Sequence, residues 1–249
     1  MVILTPENFV AENVVVKKDD KGKIKVLYKV VGADRQEKEE KIEISNGFGI
    51  VSPAYVNGFS RENNFTSKEW TGNYKPGFKL LADPKAPTSQ ELALIEFYDK
   101  IYKVVKETMG KNKSVCPNPI FAETLESFVK YPNVREKGKP VAGTSDTSKS
   151  PAIWAKCYYS VPEGTDPGKA TPEEKIINPL IKNEFNEPVS HTDLENKYFK
   201  SYYRLQLFGI ENNPNTGGKV FSWRISELKV SVLGDATSGE RTSTITASF

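Results

Sequence analysis

Three stretches in the last third of the chain, residues 152–161, 200–210 and 219–233, alternate between apolar positions and positions where aromatic rings sit beside Lys or Arg. A period of two predicts strands with one buried face. In the first stretch Ile153, Ala155, Cys157, Tyr159 and Val161 would turn inward, and Trp154, Lys156 and Tyr158 outward. In the second, Tyr203, Leu205 and Leu207 would be buried, leaving Tyr202, Arg204, Gln206 and Phe208 on the opposite face. The run Asn212-Asn213-Pro214-Asn215-Thr216-Gly217-Gly218 is a strong turn signal and makes a long hairpin of the second and third stretches. The third stretch changes parity. Phe221, Trp223 and Ile225 are apolar at odd positions but Leu228, Val230 and Val232 at even ones, so a β-bulge or barrel corner is expected near Ser226-Glu227.

The N-terminal part reads as a three-stranded meander. Residues 13–18 and 23–31 flank Asp19-Asp20-Lys21-Gly22, and Ile24, Val26, Tyr28 and Val30 alternate with Lys23, Lys25 and Lys29. Residues 34–40 are a charged connection to a third strand, 41–45. From 46 to 83 glycines and prolines alternate with seven rings, which reads as loops around short strands. Thr88-Ser89-Gln90-Glu91 fits a capping box, and Leu94, Tyr98, Ile101 and Val105 follow at helical spacing up to Gly110, with Leu92, Ile95 and Tyr102 widening the stripe. A helix this broad in its apolar face should pack on a sheet. Pro119 opens a second, shorter helix ending at Tyr131-Pro132. Residues 135–150 and 162–172 lack apolar periodicity and read as flexible loops, 174–182 as a strand interrupted by Pro179, and 191–199 as a short helix.

Composition narrows the function classes. With 37% hydrophobic and 11% aromatic residues in 249, the chain can build a real core, and it is read as a single domain, 1–249, with a C-terminal tail at 235–249. The formal charge of +3 is too near balance for a generic polyanion binder, so any nucleic-acid site must be a local patch. Cys116 and Cys157 lie far apart, which suits a reducing compartment. Neither a signal peptide nor a membrane span is evident, so an intracellular or packaged protein with no membrane partner is expected.

Catalytic chemistry finds little support. The single histidine, His191, nearly excludes the usual triads and multi-histidine metal sites, and the two cysteines lack metal-ligand spacing. Gly217-Gly218-Lys219 has neither the upstream glycine nor the following helix of a phosphate loop. A non-enzymatic protein without metal or cofactor is the expectation.

Asn46-Gly47-Phe48-Gly49-Ile50, then Phe78-Lys79-Leu80-Leu81, the helix from Thr88, 153–158, Asn183-Glu184-Phe185-Asn186, 203–210 and 220–232 follow one another in an order that resembles a protein family of large nucleo-cytoplasmic DNA viruses. That family is similar to the single-stranded-DNA-binding replication proteins of podovirus-type phages. The resemblance implies an α+β, β-rich fold: an OB-fold-like, partly open antiparallel barrel with one long inserted helix, one or two short helices and long loops. It also implies work in a viral factory of the host cytoplasm or nucleus, or packaging in the virion. The phage proteins end in an acidic tail closed by phenylalanine. Here Phe249 is in place, but residues 235–249 hold only Asp235 and Glu240 against Arg241, which leaves a docking role for Phe249 toward replication proteins without an acidic switch.

A sheet offering rings for stacking and cations for phosphates meets the needs of single-stranded nucleic acid, because every base has a π-face and every nucleotide a charge. Trp154, Tyr158 and Tyr202 are the candidate stacking rings, and Lys156, Arg204 and Arg224 the candidate phosphate contacts. Arg61, Lys75 and Lys79 add cations from the aromatic loops. The expected function is single-stranded DNA binding in viral replication, repair or packaging, with self-association left open. A capsid-associated assembly protein, burying the same rings in protein contacts, is the alternative.

Overall fold

The fold is read from a computed structural model, which describes residues 1–32, 35–46, 52–53, 73–74, 77–118, 120–166, 169–171, 174, 176–178, 180–190, 193, 197–213 and 217–235. The chain divides into two compact units. Unit 1 takes residues 1–45, 92–130 and 205–224, and unit 2 takes 46–91, 131–204 and 225–249. Both boundaries in the last third fall inside the long hairpin strands, Lys197–Asn212 and Lys219–Asp235.

In unit 1 the expected meander is present. Strands β2 (Val14–Lys18), β3 (Ile24–Val31) and β4 (Glu37–Ser45) pair antiparallel in sequence order. The charged segment expected to connect the last two is not a connection: β4 already begins at Glu37, because Glu37, Lys38, Glu39 and Glu40 face Val31, Val30, Lys29 and Tyr28 across the ladder. Ion pairs from Lys29 to Glu37 and from Lys17 to Glu39 make this charged ladder tolerable in a strand. A short β1 (Val2–Leu4), which the sequence reading does not anticipate, joins β4 in parallel. Val14, Val16, Ile24, Val26, Tyr28, Ile42 and Ile44 are buried, as their alternation requires.

The helix α1 (Ser89–Lys111) closes this core. Its start is a true capping box. Thr88 Oγ1 accepts the Glu91 N–H at 3.2 Å and Glu91 Oε2 accepts the Thr88 N–H at 2.8 Å, while Glu91 Oε1 also accepts the Ala82 N–H at 2.7 Å. Leu94, Tyr98, Ile101 and Val105 are buried, but Leu92 is not part of the stripe, being 43% exposed. In unit 1 the Tyr98 ring packs edge-on against Phe128 and Trp223, at centroid distances of 5.3 and 6.4 Å, as a helix laid on a sheet must. The second helix is a single turn, α2 (Ile120–Glu123), so Phe128 and Val129 reach the core from irregular chain.

In unit 2 the stretch 152–161 is two strands, not one. β10 (Ala152–Trp154) pairs with β7 (Gly77–Lys79), whereas β11 (Cys157–Ser160) pairs with β6 (Asn73–Tyr74) and β12 (Ile176–Asn178). The stretch 174–182 is interrupted: β12 ends at Asn178, and β13 (Ile181–Lys182) changes partner and runs parallel to Leu228–Lys229 of the second long hairpin strand, while Pro179 itself lies outside the described residues. The loop at 135–150 carries a small hairpin, β8 (Arg135–Glu136) with β9 (Lys139–Pro140). The short helix expected at 191–199 gives way to strand from Lys197, and its first residues, except Asp193, lie outside the described residues.

The long hairpin consists of β14 (Lys197–Asn212) and β15 (Lys219–Asp235). With β5 (Ser52–Pro53) attached to the start of β14, the strand order β1-β4-β3-β14-β15-β13 makes a mixed sheet, parallel at β1–β4 and β13–β15 and antiparallel at β3–β4, β3–β14 and β5–β14. The molecule is thus β-rich with one long inserted helix. The parity change in β15 is visible in burial: Trp223 and Ile225 are buried, then Leu228 and Val230, with Ser226 exposed between. No described helix is long and apolar enough to cross a membrane.

Candidate nucleic-acid interface

The outward residues fall into two clusters, one in each unit. In unit 2 the pairing of Ile153 with Phe78 buries both completely, which turns their neighbours Trp154 and Lys79 to the other face. Trp154 sits opposite Gly77 and is 38% exposed. A Cβ on Gly77 would lie 2.9–3.0 Å from three carbons of the indole, so the ring lies across the glycine and depends on its missing side chain. Lys79, half-buried and paired with Ala152, shares that face.

Lys156 follows two residues on, half-buried, with its carbonyl accepting the Ile225 N–H at 2.9 Å. On the next residue Ser226 Oγ donates to the Arg204 carbonyl at 3.2 Å. Residues 225–226 of β15 therefore tie Lys156 and Arg204 into one neighbourhood of unit 2. The Arg204 guanidinium lies 3.4 Å from Glu227, both side chains about one-third exposed (32% and 34%), so part of its charge is already answered.

Tyr202 is held on the same side of β14 as Arg204 by a buried clamp. Asn46 Oδ1 accepts the Tyr203 N–H at 2.7 Å, and its Nδ2 donates to the Ser201 carbonyl at 3.0 Å. Ser201 and Tyr203 are fully buried, the latter with its ring 4.6 Å from that of Phe78, so the half-buried Tyr202 between them faces away from the core. Unit 2 thus holds Trp154 and Lys79 on one face of the β7–β10 pair, Lys156 and Arg204 with their backbones tied to residues 225–226, and Tyr202 on the outward side of its strand. Tyr158 is in β11, opposite Asn73 and Asn178, but its side chain lies outside the described residues, as do Tyr159, Arg61, Lys75 and Phe249.

Arg224 belongs to a second cluster, in unit 1. Its Cζ lies 3.2 Å from the centroid of the Phe208 ring, and Lys25 Nζ lies 4.1 Å from the same centroid. Next to them β14 slips locally where it meets β3. Tyr203, Leu205 and Leu207 are buried at odd positions, yet Gly209 and Ile210 are both buried, and Ile210 pairs with Ile24. Gly209 has φ +155°, and a Cβ there would stand 2.2 Å from the Ile24 carbonyl oxygen, so only glycine lets the two strands approach.

The cluster borders a cleft of about 390 Å³ that Lys23, Lys25, Lys219 and Arg224 line with Phe208. Lys219 Nζ lies 4.0 Å from the Phe121 ring centroid and donates to Asn212 Oδ1. Burial, and then the charge of Lys18, hold its ammonium below the ordinary lysine range. The sequence places Phe208 and Lys25 on wet faces of their strands without joining them, and Gly209 is the residue that could have signalled the junction.

No protein-family model and no curated protein matches this chain. Among solved structures, it is similar to a C-terminally truncated single-stranded DNA-binding protein from bacteriophage Enc34, at 17% identity and TM-score 0.36 over 94% of this chain and 99% of that one. The same phage protein in complex with single-stranded DNA aligns at 17% identity and TM-score 0.36 over 89% of this chain and 96% of that one.

Proposed function

We propose that this protein is a non-enzymatic binder of single-stranded DNA serving viral replication, repair or packaging. The observation that carries the reading is in unit 2: an indole laid over a glycine, partly exposed, with Lys79 on the same face of the β7–β10 pair and with Lys156 and Arg204 in the same unit. A ring backed by bare backbone is a flat platform for a base, worth about 1–3 kcal/mol per stacked base, and each cation neutralises one phosphate. Lys79, Lys156 and Arg204 together should contribute about −2 to the slope of log K against log[salt], about −0.7 for each phosphate on a single strand. Titrating oligothymidine against intrinsic fluorescence at two ionic strengths tests this. Quenching at low salt that weakens steeply as salt rises supports the reading, and no binding at low salt overturns it.

A second reading rests on a different observation in the same unit. Ile176, Leu180 and Phe185 are 49%, 54% and 74% exposed, and Phe185 stands in a turn braced by Asn183, whose Oδ1 accepts the Phe185 and Glu187 N–H groups, both at 2.9 Å. A ring held out on a hydrogen-bonded turn, with two exposed aliphatic side chains in the same unit, suits a protein contact, whether a second copy, replication proteins or a virion shell. Quantitative proteomics of purified particles separates the readings: a shell component is stoichiometric, a replication factor scarce.

A further inference from the structure

We infer that the cleft of unit 1 is a phosphate-binding site, in which Phe208 serves as the post that holds two cations in place and does not stack a base. As a contact for a strand the inference rests on the function proposed above; as a site for phosphate it stands on the cleft alone.

The lining carries four cations, Lys23, Lys25, Lys219 and Arg224, against one carboxylate, Glu211. Glu211 is engaged from within, accepting Ser222 Oγ at 2.8 Å. Asp19, at 3.7 Å from Lys25, answers one ammonium and is itself taken up by the backbone N–H groups of Lys21 and Lys23, at 3.0 and 2.8 Å. Positive charge in the cleft therefore exceeds what its own carboxylates neutralise. A protein accepts the repulsion of crowded cations where an anion arrives to relieve it.

The ring explains the placement. A guanidinium carbon 3.2 Å from the centroid covers the face it lies on, so a base cannot stack there. The ring instead attracts both charges through its quadrupole and fixes two side chains that would otherwise wander. Phe121 does the same for Lys219 at 4.0 Å. Gly22 and Gly209 contribute bare backbone to the lining, and nothing stands within 4 Å of where a Cβ of Gly22 would be, so a phosphate group can approach closely.

The test compares the intact protein with the Lys25→Gln/Lys219→Gln variant and with Phe208→Leu, using tripolyphosphate, which has no bases, and oligothymidine. Calorimetry should find tripolyphosphate bound by the intact protein and bound about tenfold more weakly by the double variant. The salt slope for oligothymidine should become shallower by about 1.4, two contacts at about 0.7 each. Phe208→Leu should weaken both ligands, since it releases the cations. Equal tripolyphosphate affinity in intact protein and double variant overturns the site. A Phe208→Leu loss confined to oligothymidine overturns the post and makes the ring a stacking platform. If oligothymidine does not bind the intact protein while tripolyphosphate binding still depends on Lys25 and Lys219, the DNA reading fails and the phosphate site stands.

Discussion

Unit 2 and unit 1 each set an aromatic ring among cations, and they use it in opposite ways. Trp154 lies on a glycine and keeps 38% of its surface exposed, with Lys79 on the same face of the strand pair. Phe208 lies under a guanidinium at 3.2 Å with an ammonium at 4.1 Å, so the ring is spent on holding charge. The residue types are the same; what differs is the cross-strand neighbour. Opposite glycine, a ring becomes a platform, and beside Lys and Arg on flanking strands it becomes an anchor for them. An alternation of rings and cations along one strand therefore does not say which of the two a ring will be.

The comparison breaks most completely at Gly209. Gly209→Ala would bring a Cβ to 2.2 Å from the Ile24 carbonyl at a φ of +155°, and the strands would have to separate. A loss of about 3 kcal/mol or more is expected in denaturant unfolding, because strain at such a φ adds to a backbone clash. Full stability in this variant would mean that the close approach of β14 to β3 does not depend on glycine.

Removing the platform has the next largest effect. Trp154→Ala should weaken oligothymidine by about 1–3 kcal/mol while leaving tripolyphosphate untouched, as a stacking ring requires. Stability should change little by comparison with Trp223, which is buried. Smaller and opposite in sign is the outcome of Glu227→Gln. Freeing Arg204 from a carboxylate 3.4 Å away should tighten DNA by about 0.5 kcal/mol, two- to threefold in a titration at low salt, since exposed pairs are worth little.

The smallest effect at neutral pH concerns Cys157. Burial pushes its thiol up to about 12 from an ordinary value of 9.0. A raised acid pKa favours the neutral, folded form, so the stabilising contribution is complete below the ordinary value and is lost as pH rises from about 9 to about 12. Native protein at pH 9 should resist iodoacetamide at Cys157, and unfolded protein should be labelled there.

How far the sequence foretold these regions follows from the range of the interactions. The capping box of α1, the β2–β3 hairpin and the burial of Tyr203 and Trp223 depend on neighbours a few residues away or on simple alternation, and all were legible. The division of 152–161 into β10 and β11 was not, because the alternation from Ile153 to Cys157 continues unbroken while the partner strand changes, and a partner has no local signature. Leu92 has helical spacing with the buried stripe yet is exposed, because spacing alone does not say how far the packed face extends. Arg224 was foreseen as outward, yet its neighbour Phe208 and the ammonium of Lys25, far away in sequence, became visible only through the pairing of Ile210 with Ile24. Likewise Gly77 revealed its role only once Trp154 was opposite it.

The most direct measurement is photo-crosslinking of bromodeoxyuridine-substituted single-stranded oligonucleotide to the intact protein, with the adducts located by mass spectrometry. Base adducts at Trp154 and Tyr202, with none at Phe208, are the predicted result. Adducts at Phe208 with none at Trp154, or no adducts at low salt, would contradict the account.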